Sequence, residues 1–136
     1  MNWVRRNYVG RPYEPGADGP TAFSCWGLVR HVFRTQAGVD MPMVAVHTED
    51  AAAADNVGAI KKAARVSGMR PVVDGSPPQP MDIVVMYGVG TLHCGVVVKV
   101  NGRLHVLHAA HEAGVVCEPW QHATQGLSVE LWRQIK

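Results

Sequence analysis

The dipeptide Asn101-Gly102 predicts a tight turn between two runs of residues that favour strands, 94–100 and 104–109. Asn and Gly both tolerate positive φ, so this pair between β-rich runs is a strong signal for a two-residue β-hairpin. Such a turn fixes which residues oppose each other, and here it places His108 opposite Gly95. The chain is therefore predicted to contain an antiparallel sheet with a defined register.

The predicted register assigns the histidines of this region to the two faces of the hairpin. His93 is placed opposite Ala110, and directly opposed residues share a face. His93 and His108 are then diagonal neighbours on one face, about 7–8 Å apart between backbones, a separation that long side chains can bridge. His105 and His111 point to the other face. This assignment fails if the turn is longer than two residues, and His105 is the alternative to His108 if the register slips.

Cys25 begins an apolar run with helical spacing that Gly38 can end. A thiol at a helix N-terminus feels the positive end of the helix dipole, which favours the nucleophilic thiolate. We therefore predict Cys25 as a nucleophile, His93 as its base and His108 as the group that orients His93. The unpaired main-chain N–H of Cys25 is available to bind an oxyanion. Cys94 follows His93 in a strand and is predicted to face away from this site.

The remaining segments read as helices followed by strands. Helices are predicted over residues 3–9 and 50–67, loops over 10–20 and 68–80, and further strands over 83–87, 115–118 and 129–132. Helices first and an antiparallel sheet second predict an α+β fold. The 136 residues, 47% of them hydrophobic, suffice for a single domain over residues 1–136 and are too few for two ordinary ones.

Charge and composition argue against several classes of function. The formal net charge of +2 at pH 7, without a Lys/Arg stripe, does not predict nucleic-acid binding. No apolar run approaches the roughly 18 residues of a membrane span, and the first residues are not a signal peptide. We therefore expect synthesis in the cytoplasm without an export sequence. The three cysteines are widely spaced, which predicts neither a disulfide framework nor a metal knuckle.

A row of histidines, His105, His108 and His111, has the three-residue spacing that would gather metal ligands on one face of a helix. In the strand predicted here, residues three apart point to opposite faces. We therefore predict no metal site, and no cofactor is expected.

Motifs spread over most of the chain, from Gly10 to about Ala110, carry a resemblance to a known family. They are Gly10-Arg11-Pro12-Tyr13, Gly19-Pro20 followed by Phe23-Ser24-Cys25-Trp26-Gly27-Leu28-Val29-Arg30, Gly38-Val39-Asp40-Met41-Pro42, Pro80-Met81-Asp82-Ile83-Val84, Leu92-His93-Cys94-Gly95-Val96 and Leu107-His108-Ala109. Their residues and order resemble the NlpC-type cell-wall cysteine peptidases, in particular the versions of bacteriophage tail assemblies. The resemblance implies a compact papain-like fold, with N-terminal helices packed on a C-terminal antiparallel sheet.

The resemblance also implies an activity and a setting. NlpC-type peptidases hydrolyse an amide in peptidoglycan stem peptides, often the bond between D-γ-glutamyl and a diamino acid, without a cofactor. In a phage tail this implies local wall digestion during genome entry or a part in tail assembly, with other tail proteins as partners and the virion tail, at the cell wall or periplasm, as location. The positions that match the family's triad are Cys25, His93 and His108, and those implied near the substrate or oxyanion are Tyr13, Ser24 and Trp26.

Two positions depart from the family's pattern, and two alternative functions stay open. Ser24 stands where the family usually has Asp before the nucleophile, and Met81 stands where it has Gly before the strand Asp. The first alternative is a structural or assembly protein of a phage tail with vestigial chemistry or none. The second is acyl transfer or thioester chemistry on a related papain-like fold.

Overall fold

The computed structural model describes residues 2–44, 54–88 and 91–135, which form helices first and a sheet second. The helices are α1 (Asn2–Asn7), α2 (Cys25–Ala37), α3 (Ala54–Val66) and the short α4 (Trp120–Thr124). The strands are β1 (Met69–Pro71), β2 (Ile83–Gly88), β3 (Thr91–Val100), β4 (Arg103–Ala110), β5 (Gly114–Pro119) and β6 (Ser128–Gln134). The predicted α+β class is confirmed. None of the described helices is long and apolar enough to cross a membrane.

The six strands of the described residues form one sheet in the order β1-β6-β2-β3-β4-β5, and every pairing is antiparallel. Asn101 and Gly102 both have positive φ, of 51° and 78°, as a two-residue hairpin turn requires. The β3–β4 register confirms the predicted pairing of Gly95 with His108. This register ends there, so it does not include the predicted pair of His93 with Ala110.

Each face of the sheet packs against a different part of the chain. The α2 face is the one covered by α2, and the main core lies between them; its central strand residues are Val96, Val98, Leu107 and Ala109, and its α2 residues include Leu28, Val29, Val32 and Phe33. The α4 face is the opposite one, where a smaller cluster forms from Val84, Met86, Val97 and Val106 with Trp120, Ala123 and Leu127 packed against it. The helix that begins at Cys25 is therefore fixed against one face only.

The loop that was predicted over residues 68–80 contains a strand. β1 comprises only Met69–Pro71, and it forms because it pairs with β6 at the edge of the sheet. The short α4 was also not predicted. The predicted helix over residues 50–67 is α3 from Ala54 onwards, and residues 50–53 lie outside the described residues.

The start of β2 is fixed by a buried carboxylate. Asp82 accepts two hydrogen bonds from the guanidinium of Arg133 on β6, of 2.8 and 2.7 Å, and one of 2.8 Å from the N–H of Gln79. The preceding residue, Met81, has a φ of 72°. This left-handed conformation costs a residue with a side chain about 1–2 kcal/mol, which explains in physical terms why glycine suits the position.

Candidate active site

The N-terminus of α2 is locked to the preceding loop through Ser24. Ser24 is the N-cap: its Oγ accepts a 3.0 Å hydrogen bond from the N–H of Gly27 in the first turn and donates one of 3.0 Å to the carbonyl of Ala17. Its own N–H donates to the same carbonyl at 2.7 Å. An ionised aspartate at position 24 would cap the helix but would have no hydrogen for Ala17. The hydroxyl therefore holds the loop in a way that a carboxylate cannot copy.

Cys25 follows this cap and is 8% exposed. A hydrogen bond from the Cys94 thiol lowers the pKa of Cys25, burial opposes that shift, and the main-chain N–H groups of Trp26, Cys94 and Cys25 itself support it. The pKa of Cys94 is raised well above its ordinary value, because its thiol donates that hydrogen bond and because it is fully buried. The arrangement makes Cys25 the thiol of the pair that gives up its proton more readily, while Cys94 retains its own.

The prediction that Cys94 faces away from the nucleophile is wrong. Cys94 belongs to the same core cluster as Cys25, on the α2 face. The prediction assumed that Cys25 lies on the face of the sheet that carries His93. In the structure α2 covers the opposite face, which carries Cys94. The two side chains therefore meet beneath the start of α2.

His93 and His108 form the second contact pair of the site. His93 Nε2 and His108 Nδ1 lie 2.6 Å apart, and the two rings meet edge to face with centroids 4.7 Å apart. The predicted proximity of these residues is confirmed, and it follows from the register that Asn101-Gly102 sets. His105 opposes Val98 instead, and its Nδ1 lies 3.0 Å from the carbonyl oxygen of Arg103.

Burial keeps both histidines of this pair neutral. It lowers the pKa of His93 to about 3, with a smaller contribution from the charge that His108 would carry. Burial also lowers the pKa of His108, against the opposing effect of a 2.7 Å contact between His108 Nε2 and Glu118 Oε1. At neutral pH each ring therefore carries one N–H and one bare nitrogen that can accept a proton.

The structure brings His93 together with His108, and Cys25 together with Cys94. The side chains of His93 and Cys25 originate on opposite faces of the sheet. The sulfur of Cys25 nevertheless reaches the peptide that joins His93 to Cys94, because the Cys94 N–H donates to it. This contact lies one residue beyond Gly95, where the β3–β4 register ends.

Tyr13 and Trp26 occupy different environments. Tyr13 is half-buried, and its ring lies 5.2 Å from that of His111. Trp26 is buried, and its indole N–H donates a 2.9 Å hydrogen bond to the carbonyl of Pro42. Trp26 meets the Cys25 sulfur through its main-chain N–H. A role for Tyr13, Ser24 or Trp26 towards a substrate or an oxyanion stays a prediction.

Glu118 is a residue of this site that the sequence analysis did not identify. It lies on β5 opposite Val106, which places it on the face that carries His108. The predicted strand over residues 115–118 contained it, but its register depends on the turn at residues 111–113, which has no signature as clear as Asn-Gly. Among the described residues, no group of three or more His, Cys, Asp or Glu side chains is placed to hold a metal ion.

Comparisons with known proteins agree with this geometry. The sequence profile of the NlpC/P60 family matches residues 10–131. The crystal structure of the NlpC/p60 domain of the peptidoglycan hydrolase SagA is similar in fold, with a TM-score of 0.56 over 96% of this chain and 92% of that one, at 17% sequence identity. No curated protein matches the chain by sequence. The profile spans nearly all of the chain, including every residue of the candidate site, and the chain therefore belongs to the NlpC/P60 family.

Proposed function

We propose that the protein is a cysteine peptidase that hydrolyses an amide bond in the peptides of peptidoglycan. Membership of the NlpC/P60 family and the likeness to a domain of a peptidoglycan hydrolase support this activity. The observation that carries it is local: a thiol whose pKa is lowered lies against the peptide that follows a histidine, and that histidine contacts a second one. A nucleophile, a base and an orienting group are the parts that acyl transfer requires.

In this proposal Cys25 is the nucleophile, His93 its base and His108 the residue that orients His93. Nε2 of His93 is occupied by His108, which leaves Nδ1, the ring nitrogen nearer the main chain, for the thiol proton. The main chain continues from His93 to Cys94, whose N–H donates a hydrogen bond to the Cys25 sulfur. In this proposal the two groups meet at the open end of the β3–β4 ladder, beyond the pair of Gly95 with His108.

The reaction then follows two acyl-transfer steps. The Cys25 sulfur attacks the amide carbonyl as its proton passes to His93 Nδ1, and the resulting oxyanion accepts hydrogen bonds from main-chain N–H groups at the start of α2. Collapse of this intermediate breaks the C–N bond, and His93 returns the proton to the departing amine. Water, deprotonated by His93, then hydrolyses the thioester and restores the thiol.

Replacement of the nucleophile tests the activity directly. Purified peptidoglycan is digested with the wild-type protein or with Cys25→Ala, and the new peptide ends are identified by mass spectrometry. We expect cleavage by the wild type and a loss of about 10⁴-fold or more in Cys25→Ala, because the covalent step has no substitute. Cys117→Ala, which removes a thiol elsewhere, is expected to retain activity. Circular dichroism establishes that each variant is folded.

The bond between D-γ-glutamyl and the diamino acid is the finer substrate that we propose, and a bacteriophage tail acting at the cell wall is the setting. Both rest on the resemblance of the motifs around Cys25, His93 and His108 to those of phage-tail NlpC-type proteins. The mass of the products tests the bond, because cleavage there leaves a free diamino-acid amine on one fragment. Immunogold labelling of virions from a strain that encodes the chain tests the setting.

A part in tail assembly without chemistry predicts the opposite outcome of the same digestion. In that case no new peptide ends would form, and a thiol-directed probe would not label Cys25 in preference to Cys117. Selective labelling of Cys25 together with new ends supports the peptidase.

A further inference from the structure

The chain of side-chain contacts that begins at His93 continues beyond His108. His108 Nε2 lies 2.7 Å from Glu118 Oε1, and the other carboxylate oxygen, Oε2, lies 2.9 Å from Nε2 of His122. Glu118 is on β5 and His122 is four residues later on α4, so the contacts connect β3, β4, β5 and α4 on one face of the sheet. The side chain of His122 is 70% exposed, whereas that of His108 is 10% exposed. The series thus runs from solvent to the buried histidine pair.

The carboxylate of Glu118 determines which nitrogen of His108, and then of His93, carries the hydrogen. An ionised carboxylate has no hydrogen to donate, so the short contact with Glu118 requires an N–H on His108 Nε2. A neutral imidazole has only one N–H, which leaves His108 Nδ1 as an acceptor. The 2.6 Å contact between His108 Nδ1 and His93 Nε2 then requires an N–H on His93 Nε2. His93 Nδ1 is left bare, as a base for a thiol must be.

The opposite arrangement is chemically possible and would be inactive. If His108 carried its hydrogen on Nδ1, it would donate to His93 Nε2, and the single hydrogen of a neutral His93 would sit on Nδ1. That nitrogen could then accept no proton from Cys25. The burial that keeps both rings neutral does not distinguish the two arrangements, because each has one hydrogen per ring. The choice between them needs a group outside the pair.

We infer that Glu118 is the positioning residue that makes this choice, by fixing the Nε2–H tautomer of His108 and, through it, that of His93. The inference deepens the proposed function and rests on it for the catalytic consequence. His122 holds the second oxygen of Glu118 from the solvent side and keeps the carboxylate directed at His108. Partners of this kind, one shell removed from the reacting groups, typically contribute 10–100-fold to activity or affinity at metal sites, and we expect about that factor here.

The test compares the wild type with Glu118→Gln, which keeps the size of the side chain and its ability to bond His108 but removes the requirement for a hydrogen on Nε2. Two-bond ¹⁵N–¹H correlation spectra of ¹⁵N-histidine-labelled protein at pH 7.5 report the tautomer of each ring. We expect Nε2–H for His93 and His108 in the wild type and a substantial Nδ1–H population of both in Glu118→Gln. We also expect kcat on muropeptides to fall about 10–100-fold with KM little changed.

Glu112→Gln is the matched control, because it removes one carboxylate from the exposed turn between β4 and β5. It should leave both the tautomers and kcat as in the wild type. An Nδ1–H tautomer of His108 in the folded wild type would overturn the inference, and so would unchanged tautomers in Glu118→Gln. The spectra do not depend on turnover. A wild-type protein with the expected tautomers and no cleavage would contradict the proposed function and leave the role of Glu118 in the hydrogen positions supported.

Discussion

Cys25 shares its environment with a second thiol, and the hydrogen bond between them makes the two sulfurs unequal. Cys94 donates its S–H, so its own pKa is raised and that of Cys25 is lowered. Burial acts against a charge on either sulfur. Three main-chain N–H groups also donate to the Cys25 sulfur, and each of them lowers the pKa of Cys25 further. Cys94 therefore acts as a donor that prepares the thiolate, a part that a valine or alanine at this position could not take.

Removal of this donor is expected to make Cys25 less reactive at neutral pH. In Cys94→Ala the Cys25 sulfur loses the largest of the effects that lower its pKa, so alkylation by iodoacetamide should shift to higher pH and slow severalfold at pH 7. Cys94→Ser, which keeps a hydroxyl donor, should react much more like the parent. The pH dependence of the alkylation rate, followed by mass spectrometry in a Cys117→Ala background, measures the difference. Coincident profiles for Cys94→Ala and the parent would contradict the donor role.

The sequence predicted the contacts of a residue correctly where the residues that determine those contacts lie nearby in the chain. His108 could be paired with His93 because Asn101-Gly102 fixes the register within a few residues. Cys94 was assigned to the wrong side because strand alternation says which residues share a face and not which face a distant helix will cover. Glu118 was missed for a related reason, since its approach to His108 needs the β4–β5 register as well.

At the scale of elements, the start of α2 depends on a close approach of two main chains. A Cβ added to Gly27 would lie 1.9 Å from the carbonyl oxygen of Ala17, and 2.8 Å from Ser24 Oγ. Both atoms belong to the capping arrangement that precedes Cys25. The φ of Gly27 is not in the left-handed region, so its main-chain conformation does not require glycine. Glycine is required because the first turn of the helix contacts the loop so closely.

Gly27→Ala is expected to destabilise the protein by about 1–3 kcal/mol or to displace the first turn of α2, because a main-chain oxygen cannot yield as a side chain can. Urea unfolding measures the free-energy change, and the peptidoglycan digestion reports whether the nucleophile remains in place. Gly58→Ala is the matched control: it lies in α3, none of the described residues lies within 4 Å of an added Cβ, and alanine favours a helix by up to about 1 kcal/mol. Equal stability of Gly27→Ala and the wild type would show that the loop is free to move.

The elements that escaped prediction are those whose existence depends on partners elsewhere in the chain. β1 is three residues long and ends in a proline, so no local pattern marks it, and it is defined by pairing with β6 more than sixty residues later. α4 is one short turn between two strands. By contrast α2 has a capping serine, an apolar face and Gly38 at a φ of 66° as its C-cap, all local signals that the sequence displays.

At the scale of the whole molecule, packing shields three histidines wholly or partly from water. His93 and His108 lie on the α4 face, and His31 of α2 is held by the hydroxyl of Tyr8 at 2.7 Å. Burial is the largest cause of the lowered pKa of each of these three histidines. The folded chain therefore resists protonation at positions that the unfolded chain would protonate freely.

Acidification should consequently destabilise the fold. Well above pH 6.5 these rings are neutral in both states. As the pH falls below about 6.5, the unfolded chain takes up protons more readily than the folded one, so the free energy of unfolding decreases. For His93 the loss continues until the pH approaches its folded-state pKa of about 3. His93 alone should contribute a loss of up to about 2.7 kcal/mol at pH 4.5. Urea unfolding at pH 7.5 and 4.5 measures the drop, which should be smaller in His93→Gln than in the wild type. The control His105→Gln should match the wild type, and an equal drop in all three proteins would mean that burial of His93 does not govern the acid sensitivity.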